Sequence, residues 1–70
     1  MNELLYIDMQ EYINEHHSLE EMNELYDKFE IEIKKLKSKG DSLNSEERRS
    51  LSTLELKAFQ LLREIDSVER

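Results

Sequence analysis

The sequence predicts an all-α protein: an antiparallel αα-hairpin with a shorter N-terminal helix, a three-helix arrangement in one small domain over residues 1–70. Three observations predict it. Two six-residue apolar series share the same spacing, a capping sequence stands ahead of each, and the chain holds one Gly, no Pro and no Cys. The last point removes disulfide frameworks, thiolate zinc sites, thiol nucleophiles, Gly-rich phosphate loops and most tight β-turns.

The first helix is expected over about residues 2–16, with Leu5, Met9, Tyr12 and Ile13 at i, i+4, i+7 and i+8 forming its apolar stripe. The second is expected over about 19–39. Its apolar series is Leu19, Met22, Tyr26, Phe29, Ile33 and Leu36, a 3-4-3-4-3 pattern that keeps one stripe facing a partner helix. Ser18 followed by Glu21 reads as a capping box at its start, and Gly40 supplies the left-handed residue that ends helices. The third, about 45–69, repeats the pattern with Leu51, Leu54, Ala58, Leu61, Ile65 and Val68, preceded by a second capping box, Asn44 with Glu47. The short polar link Gly40 to Asn44 joins antiparallel neighbours, with arms of about 30–37 Å at ~1.5 Å per residue. Leu56, Phe59 and Leu62 flank the third helix's series. They suit either docking of the first helix or a homodimer contact, since a 70-residue chain buries little core alone.

Charge is distributed unevenly. The chain carries 17 Asp+Glu against 10 Lys+Arg, a formal −7. Residues 1–33 hold ten acids and one base, Lys28, for −9, whereas residues 34–70 hold seven acids and nine bases, for +2. Acids near helix N-termini favour the macrodipole, which accounts for Glu20 and Glu21. It does not account for a first helix without any Lys or Arg, because i,i+4 pairing favours mixed signs. Glu20, Glu24 and Asp27 stand opposite the apolar series of the second helix, and Asp8, Glu11 and Glu15 fall together on the first.

Other clusters have ordinary explanations. Lys34, Lys35, Lys37 and Lys39 occupy the last turns before Gly40, where cations complement the negative helix end, so direct nucleic-acid binding is not expected. Glu24–Lys28 and Glu30–Lys34 are i,i+4 pairs in the favourable order. His16 and His17 lie at the junction of the first two helices, but adjacent residues point about 100° apart on a helix and chelate poorly. No metal and no cofactor are expected. Carboxylates are abundant, yet no nucleophile–base constellation accompanies them, so the chain reads as non-enzymatic. No apolar run approaches the ~18–20 residues of a membrane span and no secretory signal is evident, which together with the lack of cysteine points to a cytoplasmic protein.

In size, acidity and helical make-up, carried by the ten acids of positions 3–32, the chain resembles the phage-encoded DNA-mimic inhibitors, including those that block the bacterial histone-like protein HU. That resemblance implies an acidic decoy, monomeric or dimeric, filling a DNA-binding cleft. The hairpin also resembles in outline the Spo0E-like phosphatases, whose signature is Ser-Gln-Glu-Leu-Asp. Here Thr53-Leu54-Glu55-Leu56-Lys57 keeps Glu-Leu and replaces the final Asp by Lys57, so this likeness implies the hairpin and not the phosphatase activity. Two functions are thus expected in competition. One is a DNA mimic that contacts a basic nucleic-acid-binding protein through Asp8, Glu11, Glu15, Glu20, Glu24 and Asp27. The other is a helical adaptor that binds a partner protein through apolar positions such as Leu56, Phe59 and Leu62.

Overall fold

Phe29, Leu54 and Leu61 are sealed from solvent where two long helices meet. The computed structural model describes residues 3–69. A 3₁₀ turn at Glu3–Tyr6 leads into α1 (Met9–Asn14) and α2 (Leu19–Lys37); a second 3₁₀ turn at Gly40–Ser42 returns the chain into α3 (Ser45–Glu69). No strand occurs among the described residues. The result is an antiparallel hairpin of α2 and α3 with a short N-terminal segment packed against α3, 39 × 19 × 16 Å overall.

The core is the seam the 3-4 spacing anticipates. Met22 and Phe29 of α2 and Leu54, Ala58, Leu61 and Ile65 of α3 are buried, and Leu19, Tyr26, Ile33 and Leu36 pack against them. Full burial of each large side chain contributes about 1.5–3 kcal/mol, so Phe29, Leu54 and Leu61 carry much of the cohesion of a chain this small. No charged or polar residue is buried among those described. Two positions depart from the expectation: Leu51 is half-buried and lies outside the core cluster, and Val68, the last position of the α3 series, is 52% exposed where α3 outlasts the shorter α2.

Both helix starts are capped as the spacing requires, with one difference. Asn44 and Glu47 form the full reciprocal box: Glu47 N donates to Asn44 Oδ1 at 2.8 Å and Asn44 N donates to Glu47 Oε1 at 3.2 Å. At α2 the Ser18 hydroxyl accepts from Glu21 N at 3.2 Å, but the Glu21 carboxylate turns to His17. α2 ends at Lys37, two residues before the expected 39, and Gly40 takes φ +57°, the left-handed conformation that lets the chain reverse. Lys39 and Glu47 close the turn with a hydrogen-bonded ion pair.

The N-terminal segment is not the single helix expected over about 2–16; residue 2 lies outside the described residues. Asp8 is the reason. Its Oδ1 accepts from Gln10 N at 3.0 Å and Glu11 N at 3.3 Å, so its own backbone is extended and a new helix starts at Met9. That helix ends at Asn14, and His16, at φ +56°, turns the chain toward α2. The segment's apolar residues are consequently set by a kinked path: Leu4 and Met9 are buried, with Leu5, Ile7 and Tyr12 packed beside them, while Ile13 stays outside the core cluster. Lys57 reaches across from α3 to donate to the Ile7 carbonyl and so holds the kink in place. The segment therefore lies along the Lys57–Gln60–Glu64 side of α3 and leaves Leu56, Phe59 and Leu62 uncovered.

Phe29→Ala is expected to cost about 3–5 kcal/mol, enough to unfold most of the population, because the sealed site cannot refill. Leu56→Ala, at an exposed position, should stay within about 0.5 kcal/mol. Urea unfolding followed by circular dichroism measures both. Gly40→Ala should cost about 1 kcal/mol through its positive φ alone, since an added Cβ meets no neighbour.

Candidate functional site

The antiparallel return gives the hairpin two electrically different ends. The first turns of α2 lie beside the last turns of α3, and α1 packs against the same stretch of α3. Residues 8–27 and 60–69 thus share one end and hold ten acids and one base, for −9. Residues 28–59 form the other end with eight bases and six acids, for +2. Sequence reading located the acidic first half but missed Glu64, Asp66 and Glu69, which the fold brings to the same end. The length of the connecting link was the available signal.

All six expected contact residues, Asp8, Glu11, Glu15, Glu20, Glu24 and Asp27, are exposed. They are not equivalent. Glu20, Glu24 and Asp27 form a row along α2 that points away from α3, and among the described residues no cation pairs with them. The expected Glu24–Lys28 pair is not formed, whereas Glu30–Lys34 is, at 3.9 Å. Asp8 spends one oxygen on the cap of α1. Glu15 closes that helix and sits 3.9 Å from His17 Nε2.

A histidine joins α1 to α2 at this end. The His17 ring stacks on Tyr12 with centroids 3.9 Å apart and planes 10° from parallel. Its Nδ1 is 2.8 Å from Glu21 Oε2, the geometry of an Nδ1–H donating to a carboxylate. Nε2 is buried and has no hydrogen-bond partner among the described residues. The hydrogen bond from His17 holds the Glu21 carboxyl below the usual carboxylate range. Burial pushes the Tyr12 phenol up, and the nearby carboxylates of Glu21, Glu15 and Glu24 push it further. This cluster was not singled out from sequence as a unit; the i,i+4 spacing of His17 and Glu21 was the signal for half of it.

The lysine-rich turn at the opposite end is engaged locally. Lys34 pairs with Glu30, Lys35 with Glu32 and Lys39 with Glu47, as cations at a helix C-terminus do. Lys39 and the Asn44 backbone hold the Glu47 carboxyl below its ordinary range. An open groove of about 740 Å³ runs between the N-terminal turn and α2, lined by Leu4, Ile7, Leu25 and Ile31 with Lys28 and Glu32 beside them. It contains no nucleophile–base pair. No group of three or more His, Cys, Asp or Glu able to hold a metal ion occurs among the described residues, and no described helix is long and apolar enough to cross a membrane. Comparisons with protein-family models, curated proteins and solved structures found no match for this chain.

Glu21 and Glu47 make stability depend on acid. A carboxyl with a folded pKa below its unfolded value stabilises the fold above the ordinary carboxylate range, and that contribution is lost as pH falls through the depressed value. The part of the urea midpoint that Glu21 and Glu47 supply is expected to be lost between neutral pH and about pH 3. The double variant Glu21→Gln with Glu47→Gln should start lower at neutral pH and show a shallower drop, read from the same unfolding curves.

Proposed function

We propose that this protein is a DNA-mimic inhibitor, which places its acidic end on the basic surface of a nucleic-acid-binding protein such as bacterial HU and so excludes DNA. The observation that carries this reading is the uncompensated row of Glu20, Glu24 and Asp27 on the outer face of α2, at the end where the fold gathers ten acids. Successive carboxylates in such a row are about 4.5–6 Å apart along the axis, against ~3.4 Å for the phosphates of one DNA strand, so the row is a sparser copy of a backbone. A rigid helix presents these charges without ordering cost, and a field of one sign steers a basic partner to it. Like charges at i,i+4 cost a few tenths of a kcal/mol each, a standing expense that solubility alone does not require.

Reversing Glu20, Glu24 and Asp27 to Lys together is the direct test. Binding to purified HU, and capture of basic DNA-binding proteins from lysate, should be competed by duplex DNA and lost at high salt. The triple variant should bind at least ~100-fold more weakly while its circular dichroism is unchanged. Unchanged affinity in the triple variant, or a partner that DNA does not displace, contradicts the proposal.

A further inference from the structure

On α3, the face turned away from α2 carries Leu56, Phe59 and Leu62 at i, i+3 and i+6, with 60%, 57% and 43% of each exposed. The N-terminal segment, the one element of the chain that could have covered them, packs on another side of α3. Three apolar side chains form one exposed strip on a helix 25 residues long, and the charges around them indicate what fits it.

We propose that this face pairs with itself, joining two copies of the chain antiparallel across a two-fold axis at Phe59. The pattern is self-complementary about that point. With Phe59 on Phe59 of the second copy, Leu56 stands level with Leu62, three residues to either side, and Glu55 level with Arg63, four residues to either side. Each symmetric dimer so gathers four leucines around the Phe59 pair and sets two Glu–Arg pairs across it from four residues per chain. Glu55 and Arg63 are exposed, and the Arg63 guanidinium already lies over the Phe59 ring, 6.0 Å from its centroid, at the edge of the stripe.

Charge also selects the orientation. Antiparallel pairing sets Arg49 of one α3 level with Glu69 of the other, and sets the −9 end of each hairpin beside the +2 end of its neighbour. Parallel pairing would press the two −9 ends together. Because the stripe and the Glu20–Glu24–Asp27 row point to opposite sides of the hairpin, self-pairing leaves the acidic row of both copies in solvent. The contact is small beside the ~800 Å² per partner of a standard interface, which places its Kd near micromolar or weaker.

Sedimentation velocity of the full chain from about 10 μM to ~1 mM tests this. A concentration-dependent monomer–dimer equilibrium is expected, abolished by Phe59→Asp with helicity intact. Glu55→Arg or Arg63→Glu alone should weaken the dimer roughly tenfold, since each turns two attractive pairs into like-charge contacts. The double variant should regain the wild-type constant, and an equimolar mixture of the two single variants should form a heterodimer tighter than either homodimer. A wild-type chain that stays monomeric to ~1 mM overturns the proposal and leaves the stripe to a different protein. A dimer indifferent to Phe59→Asp and to the charge exchange overturns it too, because another face is then responsible. The Glu20, Glu24 and Asp27 reversal should leave the dimer intact, which separates this proposal from the inhibitory one.

Discussion

Two apolar stripes of equal spacing, held antiparallel by a short turn, are the constraint from which the other features of this molecule descend. Phe29, Leu54 and Leu61 can be sealed only if α2 and α3 lie side by side in one register. Once they do, every position opposite a stripe becomes surface. The acidic row of α2 and the apolar row of α3 are outward-facing for the same geometric reason. The N-terminal segment is secondary to this arrangement: it is too short to form a seam of its own and binds to a side of α3 already built, through Leu4, Met9 and the Lys57 contact with the Ile7 carbonyl.

The same constraint creates the electrostatic polarity. The first half of the chain is already acidic, at −9 over residues 1–33, and the return of the chain adds the acidic last turns of α3 to its acidic portion and separates both from the lysine-rich turn. Carboxylates at one end then stand within a Debye length of each other, ~8–10 Å at ordinary ionic strength, so their repulsion is only partly screened. Apolar burial in the seam offsets that repulsion. Local pairing offsets some of it too, as where His17 satisfies Glu21 while stacking on Tyr12. At the other end Lys34, Lys35 and Lys39 are matched to nearby acids, while Lys28, Lys37, Arg48 and Arg49 stand exposed with no ion pair among the described residues. The more strongly charged of the two ends is the acidic one, at −9 against +2.

How much of this could be read in the sequence follows the range of the interactions concerned. The α2 and α3 stripes, the Asn44–Glu47 box and the left-handed Gly40 are set by residues within a few positions of each other and were legible. The break at Asp8 was equally local, an Asp followed three residues on by Glu11, but the apolar residues on both sides suggested one continuous helix. Val68 fits the periodicity and is nonetheless exposed, because periodicity does not say where the partner helix ends. Of the six expected contact residues, the α2 trio was placed correctly opposite the seam, whereas the cap made by Asp8 and the His17 neighbour of Glu15 depend on backbone turns that spacing does not encode. The choice between covering Leu56, Phe59 and Leu62 and leaving them bare is a long-range outcome. It turned on Lys57 reaching Ile7, a contact fifty positions apart in the chain.

The central claim, that the α2–α3 seam carries the fold and the N-terminal segment is built upon it, is tested most directly by native-state hydrogen exchange. Amides around Phe29, Leu54 and Leu61 are expected to exchange only through global unfolding, with one shared free energy. Amides of Met9–Asn14 should exchange through a smaller opening, at distinctly lower free energy, while the seam stays protected. Protection of the N-terminal helix equal to that of the seam, or a seam that opens while residues 9–14 stay closed, contradicts the account.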